Sequence, residues 1–124
     1  KPLAVGRAAH AHVLGLPGNP ASASLTFLLF GVPLLRALQG DARPLPPRFD
    51  VEVELAAPIA RDAGRMEFLR ARLDAAGRRA RVLPNQSSGA VTSFAEADAL
   101  VVVPAERTRV EPGDVLDAIR LADV

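Results

Sequence analysis

Residues 11–38 read AHVLGLPGNPASASLTFLLFGVPLLRAL. A short apolar run at Val13 and Leu14 stops at Gly15-Leu16-Pro17-Gly18-Asn19-Pro20, and a long apolar helical pattern follows at once. The order is strand, tight loop, helix. Gly18 is free to take a positive φ and lets another group approach the backbone. Asn19 suits the N-cap, where its side-chain oxygen accepts from an early amide. Pro20 falls at the first helical position, where its missing N–H costs nothing. Outward-pointing amides and the positive end of the helix dipole make this loop a candidate anion site, with Ser22 and Ser24 adding hydroxyls. A well-capped helix without a ligand explains the same residues, and local chemistry alone favours it.

Along the helix, Leu25, Phe27, Leu28, Leu29, Phe30, Val32, Leu34, Leu35 and Leu38 cover nearly every face. Such a helix is expected to be buried. Pro33 predicts a kink or a fresh segment, and Gly40 predicts the stop. Upstream, Lys1–Gly6 and His12–Leu14 read as short strands joined by a hairpin. His10 and His12 then share a strand face. With no third ligand nearby, solvent-facing residues explain them better than a metal pair. Two short strands cannot bury a helix apolar on all sides, and KPLAVG does not open like a natural N-terminus. Residues 1–42 are therefore expected to be the C-terminal end of an α/β domain whose main body lies outside this sequence.

Residues 41–47, DARPLPP, form a stiff linker. Beyond it the period becomes two. Phe49, Val51, Val53 and Leu55 alternate with Asp50, Glu52 and Glu54, predicting a half-buried strand. Met66–Leu73 and Arg79–Leu83 form a hairpin around Asp74-Ala75-Ala76-Gly77. A polar loop, Pro84–Gly89, leads to a short helical turn at 90–97. Leu100–Val103 reads as a fully buried strand and Val115–Leu121 as the last one. Five short strands in about eighty residues indicate a small barrel or sandwich. The predicted fold class is thus an α/β fragment over 1–42 followed by a small all-β barrel over 43–124.

Composition narrows the function. The 124 residues are 49% hydrophobic and 23% charged, which suits a folded chain. There is no cysteine, so disulfides and thiolate metal sites are excluded. A net charge of +1 makes no case for nucleic acid. The Leu25–Leu35 run is too short to span a membrane and contains Pro33. KPLAVGRAAH is no signal peptide, since its apolar region is too short. The first forty residues hold Lys1, Arg7 and Arg36 and no acid, a weakly positive setting for an anion. There is no Gly-x-Ser-x-Gly, and GLPGNP lacks the Gly-Lys-Ser/Thr ending of a Walker A loop.

What remains is an anion-binding set: the Gly18-Asn19 loop, Lys1, some arginines and the Asn85–Ser88 loop. Arg70 and Arg72 fall on one strand face, where a solvated surface explains them. Arg65 falls on the other, at a loop-to-strand junction after Asp62-Ala63-Gly64, where sites often form. Asn85-Gln86-Ser87-Ser88 reads equally well as a self-satisfied polar loop or a binding loop.

GLPGNPASASLTFLLFGVPLLRALQG closely resembles the GLPGNPVSA…TF…P.L..L.G signature of the MoeA family, the molybdopterin molybdenumtransferases, with related E domains in plants and in animal gephyrin. GRMEFLRARL and LPNQSSGAVTSFAEADALVVVPAERTRVEPGDVLDAI match two further family blocks, and Lys1-Pro2 matches the end of its PGKP element. The resemblance runs through the whole chain in order.

It implies insertion of molybdate into adenylated molybdopterin with release of AMP. It further implies the end of a MoaB/MogA-like domain III, then the whole β-barrel domain IV. The family is cytoplasmic and works as a homodimer whose active site is shared between subunits, on small molecules, with no nucleic acid or membrane partner. By the family's pattern, Lys1, Pro2, Arg65 and Ser88 would bind molybdate, and Pro17, Gly18, Asn19, Pro20 and Ser22 the nucleotide and molybdopterin. The family's Mg²⁺ and catalytic acids are expected upstream of Lys1, so this fragment would hold no metal and be inactive alone. A gephyrin-like, non-catalytic scaffold is the alternative on the same fold.

Overall fold

The computed structural model describes residues 3–87 and 91–124. The chain separates into two compact units, the first built mainly on residues 1–46 and the second on residues 47–86 and 92–123.

In the first unit, β1 (Ala4–Ala8) pairs antiparallel with β2 (Ala11–Gly15). The two-residue connection is Ala9-His10, with Ala9 at φ 53°. His10 therefore sits in the turn while His12 pairs with Arg7 in the strand. The expected shared strand face for the histidines is corrected accordingly. The helix follows as α1 (Pro20–Thr26), a π-helical turn (Phe27–Gly31) and α2 (Val32–Leu38).

That π turn explains how the helix passes Pro33. A proline ring collides with the carbonyl one turn back. Here the Val32 N–H reaches back five residues to the Phe27 carbonyl, and the widened turn makes room. Pro33 then stands at the start of a new α segment. Gly31 is required in the wide turn, because a Cβ there would lie 2.4 Å from the Phe27 ring. The helix ends with Gly40 N–H on the Ala37 carbonyl and Asp41 N–H on the Arg36 carbonyl, both 3.0 Å. This is the Schellman pattern.

One expectation is corrected on this helix: the Leu25–Leu35 run reads as too short to span a membrane, yet Pro20–Leu38 is one 19-residue helix long and apolar enough to cross one, by length and composition alone. The π turn carries it past Pro33, which opens a fresh segment as expected. Phe30, Leu35 and Leu38 are each more than half exposed, as expected where two short strands give an all-round apolar helix too little to be buried against.

The second unit is a closed five-stranded barrel of order β3-β6-β5-β7-β9. Its strands are β3 (Arg48–Glu54), β5 (Glu67–Leu73), β6 (Arg79–Val82), β7 (Ala99–Val103) and β9 (Val115–Arg120). All neighbours are antiparallel except β3 and β6. Each strand falls within one of the five sequence-predicted segments or within a residue of it. Alternation sets the inward faces, with Val51, Val53, Leu69, Val101, Val103 and Leu116 in the core. Ala71, Ala80 and Ala118 are fully buried there, and such small side chains keep the barrel narrow. On the outer face, Glu52 meets Arg79 and Glu54 meets Arg81 across the parallel pair, at 3.9 and 3.3 Å.

Two additions were not foreseen. β4 (Ile59–Ala60) and β8 (Arg109–Val110) form a short antiparallel ladder outside the barrel. A 3₁₀ turn at Leu121–Asp123 follows β9. The predicted helical turn is α3 (Val91–Glu96).

Candidate functional site

Lys1, Pro2 and Ser88 lie outside the described residues. The remaining predicted site residues fall into two groups, one in each unit.

In the first unit, Pro17, Gly18, Asn19, Pro20 and Ser22 are brought together where β2 passes into α1. Asn19 is the N-cap, at φ −74° and ψ 126°. Its Oδ1 accepts from Ala21 N–H at 3.1 Å and from Ser22 N–H at 3.3 Å. The Ala23 N–H donates to the Asn19 carbonyl at 2.8 Å. Pro20 has no N–H. The first-turn amides expected to point outward at an anion are therefore already used by Asn19. Ser24 Oγ donates to the Pro20 carbonyl at 2.9 Å, so this hydroxyl is engaged locally as well. Gly18 is exposed, with open space at its Cβ position and without the positive φ it was expected to use. Close approach of a ligand to the Gly18 backbone is the feature this loop retains.

In the barrel unit, Arg65 stands just before β5 on the loop 61–66. Gly64 takes φ +118°, a conformation that favours glycine, and its N–H donates to the Ala105 carbonyl at 2.8 Å. Arg65 itself is exposed, and among the described residues its guanidinium has no carboxylate partner. Arg61 contrasts with it: its side chain is only 6% exposed. Its Nη1 donates to the Pro104 carbonyl at 3.0 Å and to the Arg107 carbonyl, and its Nη2 donates to the Arg65 carbonyl. Its Nε lies 3.2 Å from Glu67 Oε1, close enough for an ion pair but not aligned as a hydrogen bond. Arg107 in turn holds Asp114 at 3.0 Å. Sequence reasoning passed over Arg61, since nothing local marks it.

The 84–86 loop is anchored on the outer face of β5. Gln86 Oε1 accepts from the Arg70 N–H at 2.9 Å, and Gln86 Nε2 donates to the Arg70 and Leu83 carbonyls at 2.8 and 2.7 Å. The Arg70 guanidinium lies 5.0 Å from the Phe94 ring centroid and donates to the Asn85 carbonyl at 3.3 Å. Arg70 is thus a buried strut, where a solvated strand face was expected. Burial pushes its pKa down from the ordinary arginine value. Arg72, one step along the same face, is exposed as expected. The difference is the roof that Phe94 and Asn85 place over Arg70. Because β6 runs antiparallel to β5, the chain leaving Leu83 heads toward the end of β5 where Arg65 stands.

Among the described residues no three His, Asp or Glu side chains are placed to hold a metal ion.

A narrow five-stranded barrel with an exposed arginine at a braced loop, and a glutamine-anchored loop aimed at the same end, defines a small β-barrel module. The family model described as MoeA C-terminal region (domain IV) matches residues 52–121, and the chain belongs to this family. Molybdopterin molybdenumtransferase 1 of Mycobacterium tuberculosis is 34% identical over 114 residues, covering 86% of this chain and 26% of that protein. Gephyrin of Dictyostelium discoideum is 32% identical over 123 residues, covering 90% and 17%. The crystal structure of a molybdopterin biosynthesis MoeA protein from Pyrococcus horikosii superposes with a TM-score of 0.72 at 30% identity, covering 97% of this chain and 29% of that one. The chain thus spans about a quarter of the bacterial transferase it matches.

Proposed function

We propose that this chain is the C-terminal part of a molybdopterin molybdenumtransferase, which inserts molybdate into adenylated molybdopterin and releases AMP. The observation that carries this reading is Arg65: an exposed guanidinium on a braced loop, within the stretch that matches MoeA domain IV. Molybdate is a compact dianion. Arg65 offers it a fork of donors, Lys1 a point charge with Pro2 beside it, and Ser88 a neutral donor. The bond broken is phosphoanhydride-like, so the protein's part is positioning and charge stabilisation. Pro17, Gly18, Asn19, Pro20 and Ser22 contact the nucleotide and molybdopterin, through the Gly18 backbone and the Ser22 hydroxyl, since Asn19 occupies the helix amides.

On this reading residues 1–42 end a MoaB/MogA-like domain and residues 43–124 form domain IV. The parent is a cytoplasmic homodimer with its active site shared between subunits, acting on small molecules and on neither nucleic acid nor membrane. Catalytic acids and Mg²⁺ ligands belong upstream of Lys1, and the chain alone is inactive. A gephyrin-like scaffold is the other reading, drawn from the similarity to gephyrin. A parent that binds a helical peptide but no adenylated pterin in calorimetric titration would reverse the preference.

The test is molybdate dependence in the full-length protein carrying this chain. Arg65→Ala and Ser88→Ala are each expected to raise the half-saturating molybdate concentration about tenfold or more, the loss of one charge-assisted contact. Unchanged molybdate dependence in both would remove the oxyanion assignment.

A further inference from the structure

We propose that Arg61 is the positioning residue for Arg65: its buried guanidinium ties the Arg65 carbonyl to the 104–107 loop and so fixes where the exposed Arg65 side chain is presented. This rests on the reading that Arg65 binds molybdate.

Arg65 is otherwise poorly placed for a precise task. It is exposed and precedes the first residue of β5. A long side chain on a loose loop gives up rotamer and backbone freedom when it binds, and that loss is subtracted from affinity. Arg61 removes the backbone part of that cost. Its own N–H donates to the Thr108 carbonyl at 2.9 Å, and the Gly64 N–H to Ala105 closes the other leg. Between these legs the Arg61 side chain spans three carbonyls, those of Pro104, Arg107 and Arg65. Two of them bind Nη1 and the third Nη2, which suits a rigid planar fork and not a single ammonium. Glu67 balances the charge from the first residue of β5. The charge is buried and paired, so Arg61 does not present itself to an anion. Arg65, four residues on, does.

The experiment compares Arg61→Met, Arg61→Lys, Arg65→Ala and the double variant Arg61→Met/Arg65→Ala in the full-length protein. Half-saturating molybdate is read from cofactor formation and from equilibrium titration with sodium molybdate, alongside the KM for adenylated molybdopterin and the melting temperature. Arg61→Met is expected to raise half-saturating molybdate about tenfold, with kcat at saturation and the pterin KM little changed. The double variant should be no worse than Arg65→Ala alone, because Arg61 acts through Arg65. A purely structural Arg61 would instead lower the melting temperature and disturb both substrates equally. If Arg61→Met does not fold, Arg61→Lys carries the test, since it keeps the charge opposite Glu67 and loses the fork. An unchanged molybdate response in the Arg61 variants, with Arg65→Ala impaired, overturns the positioning role and leaves the Arg65 assignment standing. A silent Arg65→Ala overturns the molybdate reading itself, and this proposal with it.

Discussion

Just past β6, Leu83 donates its N–H to the Arg70 carbonyl at 2.9 Å, and the Gln86 carboxamide completes the pairing, accepting from the Arg70 N–H and donating to the same carbonyl. Replacing it with alanine leaves the Arg70 N–H and the Leu83 carbonyl short of partners, while the Arg70 carbonyl keeps the Leu83 N–H. Gln86→Ala is therefore expected to destabilise the protein by about 1–3 kcal/mol, measured by urea unfolding. Gln86→Glu keeps the acceptor and loses the donors, and should fall between the two. Little of this was legible beforehand. Gln86 read as an ordinary polar loop residue, and Arg70 took its predicted exposure from Arg72 by simple alternation. What buries Arg70 is Phe94, a contact that no local pattern encodes. Arg61 was invisible for the same reason, since its hydrogen bonds reach carbonyls 43 and 46 residues away. Arg65 was found by its place at a junction and by its motif, both of which are local.

Elements were easier to read than their internal geometry. The strand, cap and helix of 11–38 follow from local chemistry, and Asn19→Ala is expected to cost about 1 kcal/mol of stability by thermal melting. The same cap is what local chemistry alone favours at this loop: Asn19 satisfies amides that would otherwise face a ligand. The π turn was not legible, because it depends on Gly31 and Pro33 acting together with the Phe27 ring. Gly31→Ala must push that ring aside and is expected to destabilise by about 1–3 kcal/mol, with partial recovery in Gly31→Ala/Phe27→Leu. In the β5–β6 turn, Asp74 Oδ1 accepts from the Arg79 and Arg78 N–H groups at 3.1 and 2.8 Å, which holds its pKa below the ordinary aspartate value. Its folded pKa is depressed, so its stabilisation is fully present above the unfolded value of about 4 and is lost as pH falls through the lower folded value. Asp74→Asn should lower the melting temperature at neutral pH and flatten its decline below pH about 4.

At the scale of the molecule, the barrel was legible because each of its strands carries its own alternation or its own apolar run. The β4–β8 ladder, two residues a side, is too short to show a period. Which strands neighbour one another was not legible either, since alternation gives faces and not partners. Val53, 1% exposed at the barrel centre, offers a check on the packing: Val53→Ala is expected to cost about 2 kcal/mol by chemical denaturation, from two lost methyl-sized groups and the space they leave.

Closure of the barrel joins β9 to β3, with Phe49 opposite Ala118. The first barrel strand to leave the ribosome thus waits for the last. Until Val115–Arg120 has been made, β3 and β7 each expose an edge able to pair with another nascent chain. A message truncated after Glu111 should yield product that collects in the insoluble fraction, although it carries every residue of the braced Arg65 loop.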